Sequence, residues 1–263
     1  LVSVKEKYGY LPTSCREWEN VPDKWKEIDK KLEIHLKRRS DTCKHLPGLK
    51  FSKFSYGLSN DVIRYWSEKG DTILDPYMGW GIRGAVALVL DREYIGYDIS
   101  SEMYGVATDF LKKSTVSSLG TYVYETHLED GIKLASTKDE SVDLIFTCPP
   151  YYDREKYPGN DVEQLSKIKG YDKFLVKIKE SLENCYRVLK PDKFCIWVVG
   201  DWRNNGFYLF HKDVINLAEQ NGFKTWDVMI AKLRSPFAYK QAGKCDRMKY
   251  TAKTHEYVLV FKK

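Results

Sequence analysis

Two short stretches carry residue types that could do chemistry together. The first is Asp75-Pro-Tyr77-Met-Gly79-Trp80-Gly81-Ile-Arg83-Gly84. Gly79 and Gly81 permit a tight turn and let backbone N–H groups approach a ligand. Asp98 follows at the end of the next predicted strand, where a carboxylate can accept both hydroxyls of a ribose. Strand, glycines, helix, strand and acid describe a nucleotide-type pocket. No Walker lysine follows. The second stretch is Cys148-Pro149-Pro150-Tyr151-Tyr152, directly after an apolar run. Two prolines end a strand and leave carbonyl oxygens without local N–H partners. Those carbonyls can accept from a planar amine, and a neighbouring tyrosine can stack on a nucleobase.

The elements that must position these residues follow from periodicity. Residues 23–38 read as an amphipathic helix with Trp25, Ile28, Leu32 and Leu36 on one stripe, and Asn60 is placed to cap a helix through Trp66. Strands are expected at 72–75, 93–98, 121–125, 142–147, 194–199, 223–231 and 256–261. Helices are expected at 81–91, 101–113, 171–189 and 211–221. This alternation implies an α/β fold, a parallel or mixed sheet with helices on both faces, with the ligand outside the carboxyl ends of the strands. Residues 151–170, with Pro158, Gly159, Asn160 and Gly170, read as a long loop.

Composition bounds the rest. The chain has 263 residues, 43% hydrophobic and 14% aromatic, enough for a sizeable core and too apolar for disorder. No run reaches the ~18 apolar residues of a membrane span, and the first residues lack the apolar core of a signal peptide. Six cysteines lack CxxC or zinc spacing, and Cys185 and Cys195 sit among apolar residues, so a reduced, cytoplasmic protein is expected. His127, His211 and His255 are not spaced as metal ligands, and structural or surface roles are expected for them. The net charge of +6 is uneven: residues 1–60 carry +5, 61–223 carry −6 and 224–263 carry +7. Basic ends can neutralise nucleic-acid phosphates. The segment 232–250, with Arg234 and Lys240 among aromatics, suits a nucleic-acid groove or a basic surface hairpin.

The pair DPYMGWG and CPPYY resembles the S-adenosylmethionine-dependent DNA amino methyltransferases, whose motifs are DPFxGxG-like and (D/N/S)PPY. FSKFSYGL at 51–58, Glu129-Asp130-Gly131 and LKPDKFCIWVVGD at 189–201 fit the same order, so the resemblance covers about residues 50–262. It is closest to phage- or plasmid-type methylases of restriction–modification, with Glu155, Tyr157 and Gln164 following the proline turn. In that group a stretch such as 7–14 can follow a ParB-like domain, and with Leu1 in place of Met this suggests a longer fusion.

The resemblance implies a Rossmann-like class I methyltransferase fold with a mostly parallel seven-stranded sheet. It implies a basic helical extension over 1–50 and a catalytic domain over 51–263; the chain departs from the family in that 99–147, between the two motifs, leaves no room for the usual large target-recognition domain. The cofactor is S-adenosyl-L-methionine, the partner double-stranded DNA, and no metal is needed. The target base is flipped out, and its amine donates to the residue-148 side chain and the Pro149 carbonyl in the turn closed by Pro150. Tyr151 stacks on the base. Asp75, Tyr77, Gly79 and Gly81 hold the methionine end, Asp98 the ribose and Asp130 the adenine amine, while Phe54 and Ser55 close the pocket. Tyr152, Glu155, Tyr157, Arg234 and Lys240 are expected to touch DNA.

Cys148 departs from the family pattern, because a thiol is a weak acceptor. Its size is nearest to serine, which tilts the expectation toward cytosine N4, with adenine N6 open. Other readings stay open: C5 methylation with Cys148 as nucleophile, RNA or a protein amide as substrate, or a cofactor-binding module without activity.

Overall fold

The computed structural model describes residues 14–17, 54–116, 123–152, 164–204, 206–233 and 242–263. The expected helix at 23–38 and most of the 151–170 loop lie outside them, as do Glu155, Tyr157, Arg234 and Lys240.

The strands are β1 (Cys15–Glu17), β2 (Thr72–Asp75), β3 (Glu93–Tyr97), β4 (Tyr124–His127), β5 (Val142–Thr147), β6 (Leu189–Val199), β7 (Trp202–Arg203), β8 (Phe207–Tyr208), β9 (Lys224–Lys232) and β10 (His255–Lys262). The helices are α1 (Tyr56–Trp66), α2 (Ile82–Val89), α3 (Ser101–Val116), α4 (Tyr171–Val188), α5 (Phe210–Gln220) and α6 (Ala242–Met248). The main sheet runs β1-β9-β10-β6-β5-β2-β3-β4, with β10 antiparallel to both neighbours and the other pairings parallel. This is the Rossmann-like class I methyltransferase arrangement.

Seven of the eight strands match the expected ones. The eighth, β1, comes from a segment assigned by sequence to a helical extension. It pairs Cys15 with Ile230 and Glu17 with Lys232. A three-residue edge strand has too few residues to display a period of two.

Alternation along the central strands explains the two cores. Ile73, Leu144, Phe146, Ile196 and Val198 face α1, α2 and α3, packing on Ile63, Val86 and Phe110. Leu74, Ile145, Cys195, Trp197 and Val199 face α4 and α5, packing on Phe174, Ile178, Leu182 and Val214. All six residues of β5 are buried, as a strand covered on both faces requires. Cys185 and Cys195 are both fully buried. Among the described residues no helix is long and apolar enough to cross a membrane.

Asn60 does not cap α1. The helix starts a turn earlier, where the Ser55 hydroxyl accepts the Leu58 N–H at 3.2 Å. Asn60 is buried within α1 and donates to Asp61 at 2.8 Å.

The strand order reverses between β2 and β5. After β2 the chain lays β3 and β4 on one side, then crosses to lay β5 and β6 on the other. The crevice beyond the carboxyl ends of these strands is where open α/β sheets bind ligands.

Candidate active site

Both chemical stretches open at that crevice. A cleft there is lined by Pro76, Tyr77 and Gly79 after β2, Asp98 to Ser100 after β3, and Asp130 to Ile132 after β4. Cys148 and Pro150 after β5, and Gln164 to Ser166 before α4, complete it.

The glycine turn is built as its spacing suggests. Gly79 and Gly81 have φ of 49° and 74°, in the left-handed region that a side chain disfavours. Asp98 ties this turn to the next one. Its carboxylate accepts the Gly79 N–H at 3.1 Å and the Ser100 N–H at 2.9 Å. Burial pushes its carboxyl up to about 7, against the pull of those two bonds.

Asp130 accepts from the Ile132 N–H at 3.0 Å and lies 3.6 Å from Lys133. Beside it, Gly131 crosses the backbone of Pro76 so closely that an added Cβ would lie 1.9 Å from the Pro76 carbonyl oxygen. That contact is with backbone, which cannot rotate away. Gly131→Ala is therefore expected to displace the β2–α2 loop, lowering cofactor affinity by about 10-fold or more and stability by about 2 kcal/mol. Calorimetric titration and denaturant unfolding would measure both. Unchanged values would mean that the loop relaxes freely.

Asp75 is placed differently from the sequence reading. It lines no part of the cleft and is fully buried beneath it. Its Oδ2 accepts from Arg83 Nε at 2.7 Å, and its Oδ1 from Arg83 Nη2 at 3.2 Å, Thr147 Oγ1 at 2.8 Å and the Tyr77 N–H at 3.2 Å. The Tyr94 phenol approaches Oδ2 at 3.4 Å. With its oxygens spent inside, the carboxylate is not available to a ligand. Burial lowers the Arg83 pKa, but Asp75 outweighs this and lifts it above its ordinary value. Asp75 thus joins the glycine turn to Thr147, the last residue before the proline turn.

Phe54 and Ser55 also differ from expectation, since neither lines the cleft. The Phe54 ring meets Phe146 edge-on at 5.6 Å and lies under the Arg83 guanidinium at 4.6 Å. Ser55 is the cap of α1. Tyr77 does line the cleft, and its phenol donates to Ser181 on α4 at 2.8 Å. Burial raises that phenol well above its usual range, so it stays a neutral donor.

Cys148 and Pro150 face the cleft at the end of β5. Tyr151 points toward β10, where its phenol donates to Glu256 at 2.8 Å and its ring meets Trp202 edge-on at 5.9 Å. Tyr152 turns into an aromatic cluster with Tyr171, Phe174 and Tyr208, and its phenol accepts the Gly170 N–H at 3.2 Å. Packing against α4 and the β7–β8 hairpin therefore occupies this ring, which was expected to touch DNA. Trp80 packs against the α1–α3 core. His127 stacks on Tyr97, and His211 stacks on Tyr257 while its Nδ1 contacts Asp201 at 2.8 Å, so these histidines are structural. His255 meets Tyr257 edge-on at 5.1 Å.

The sequence reading missed the roles of Arg83, Thr147 and the 1.9 Å approach of Gly131, the last two of which act through residues distant in the chain. Leu165 and Ser166 in the cleft lining carry no local signal.

A switch-point cleft lined by a buried carboxylate and a proline turn thus lies at the carboxyl ends of a class I methyltransferase sheet. The chain belongs to the N6/N4 DNA methylase family, whose model matches residues 3–109 and 142–263. The orphan methyltransferase M.BamHII of Bacillus amyloliquefaciens is 41% identical over 59 residues, 22% of each chain. The type II methyltransferase M.SmaI of Serratia marcescens is 29% identical over 111 residues, 41% of this chain and 35% of that one. The chain thus matches well under half the length of either relative. The fold is also that of the [4+2]-cyclase SpnF, at TM-score 0.54 and 16% identity over 81% of this chain and 84% of that one.

The family's cofactor is S-adenosyl-L-methionine, and the residues present fit it. The Gly131–Pro76 approach keeps the cleft floor free of a side chain, and Asp98 offers a carboxylate whose buried charge a pair of hydroxyl donors would stabilise.

Proposed function

We propose that this chain methylates the exocyclic amine of a base flipped out of DNA, cytosine N4 or adenine N6. The observation that carries the reading is that Cys148 and Pro150 of the proline turn line the same cleft as Asp98 and Asp130. The bound cofactor supplies an electrophilic methyl group on a sulfonium. The chain's residues supply position. Asp98 accepts the ribose hydroxyls, Asp130 the adenine amine, and the Pro76–Gly79 backbone lies along the methionine end. The Pro149 carbonyl, aided weakly by Cys148, accepts from the target amine and aims its lone pair at the methyl carbon. Tyr151, anchored by Glu256 and Trp202, supports the base. Once it had received the methyl group, the amine would shed one proton to water. Alignment of the two reactants is the main source of rate. Glu155, Tyr157, Arg234 and Lys240 belong to the same reading as DNA contacts.

The test is to incubate the protein with labelled cofactor and unmethylated genomic DNA, digest to nucleosides and read the masses. Either N4-methylcytosine or N6-methyladenine supports the proposal and names the base. Cys148→Ser is expected to keep that product, because a hydroxyl still accepts. C5-methylcytosine, lost in Cys148→Ser, would instead make Cys148 a nucleophile. No transfer to DNA despite cofactor binding would overturn the reading in favour of RNA, a protein amide or an inactive module.

A further inference from the structure

The β7–β8 hairpin has two unlike faces. Trp202 pairs with Tyr208 and Arg203 with Phe207, so alternation sends one pair inward and the other out. Inward, Trp202 is 1% exposed, stacks on Tyr208 at 5.3 Å and meets Tyr151 edge-on at 5.9 Å. Tyr208 also contacts Tyr152 at 6.1 Å. The inner face is thereby bolted to both tyrosines of the proline turn.

The outer face presents cations. The Arg203 guanidinium lies over Phe207 at 4.5 Å and over Tyr250 at 5.0 Å, and the Lys253 ammonium lies over Phe207 at 4.7 Å. Arg203, Phe207 and Lys253 are exposed. Among the described residues neither cation has a carboxylate partner. The rings hold two long side chains in place before any ligand arrives, which lowers the entropy lost on binding an anion. Both cations sit over one ring, so they lie no more than about 9 Å apart. Successive phosphates of one strand, spaced ~3.4 Å along the helix axis, fall within that span.

We propose that this outer face is a phosphate clamp for the DNA strand beside the flipped base, with Arg203 and Lys253 each pairing with one backbone phosphate. The clamp rests on the reading that DNA is the substrate. Its attachment to Tyr151 and Tyr152 sets the backbone at a fixed distance from the proline turn. The +7 charge of residues 224–263, which include Lys253, favours the same partner.

The test uses the full chain, a fluorescent duplex of unmethylated DNA and a salt titration of affinity. Arg203→Gln and Lys253→Gln are each expected to weaken binding by about 10-fold, and the double variant by about 100-fold at ~0.1 M salt. The slope of log affinity against log salt should flatten by about 1 per residue. Cofactor affinity should not change, and the charge-preserving pair Arg203→Lys with Lys253→Arg should keep the wild-type slope. A double glutamine variant with wild-type affinity and slope, in a protein that methylates DNA, overturns the clamp and leaves the substrate reading standing. Loss of cofactor binding in the same variant overturns it too, because the hairpin would then be a structural brace. A wild-type protein that neither binds nor methylates DNA removes the reading on which the clamp rests.

Discussion

Asp75→Ala is expected to destabilise the protein by about 3–5 kcal/mol, because it strands the Arg83 guanidinium, 5% exposed, without its counter-charge. For a domain of this size the loss corresponds to a melting temperature lower by about 10 °C. The Thr147 hydroxyl loses its acceptor at the same time, so the proline turn is no longer tied to the glycine turn. The double change Asp75→Leu with Arg83→Met should recover much of the stability, since an apolar pair of similar volume replaces a buried ion pair at small net cost. It should not recover activity, because the tie to Thr147 is still absent. Denaturant unfolding of the two single variants and the double variant gives the coupling directly. Additive effects, or a loss below about 1 kcal/mol for Asp75→Ala, would show that the pair is not the hub described above.

Asp98→Ala is expected to weaken cofactor binding by about 100-fold or more, the equivalent of two charge-assisted hydrogen bonds. It also releases the Gly79 and Ser100 N–H groups that the carboxylate holds. The wild type should bind with a particular pH dependence. Burial sets the free carboxyl at about 7, so near neutrality about half of the molecules carry a proton there. Ribose hydroxyls donate, and they favour the ionised form. Affinity should therefore rise as pH increases through 7 and level off about one unit above it. Binding at pH 7 should release about half a proton, measurable by calorimetry in buffers of different ionisation heat. Stability of the free protein runs the other way. A carboxyl whose folded pKa is raised binds more protons folded than unfolded between about 4 and 7, so this group's contribution falls as pH rises across that window. Asp98→Asn should remove both dependences. A wild-type affinity that is flat from about pH 6 to 8 would sink the role of an ionised Asp98.

The two motifs are legible in the chain alone because their chemistry is local. A strand, a glycine turn, a helix and an acid can be read from adjacent residues. The proline pair ending VDLIFT announces itself by what proline cannot do in a strand. Seven of the eight main-sheet strands are also legible, the central ones most plainly, since a parallel strand buried on both faces such as β5 is a run of apolar residues.

What needed the tertiary structure was every assignment that depends on a distant partner. Asp75 and Asp98 look alike in sequence, each an acid ending a strand. Only the packing of Arg83 and Thr147 turns the first inward and leaves the second facing the cleft. Tyr151 and Tyr152 are adjacent and chemically identical, yet Glu256 takes one and the α4 aromatic cluster the other. Ser55 and Asn60 are both good caps by type, and the position of α1 against the sheet selected the serine. The residues of β1 and the β7–β8 hairpin are too few to show a period, so their pairing is invisible in the chain. Sequence by itself determined seven strands of the main sheet in their chain order and the location of the two turns, because backbone conformation and solvent exclusion act on neighbouring residues. The tertiary structure decided which carboxylates, rings and cations face the cleft or the solvent, because burial and charge compensation are settled between residues that meet only after folding.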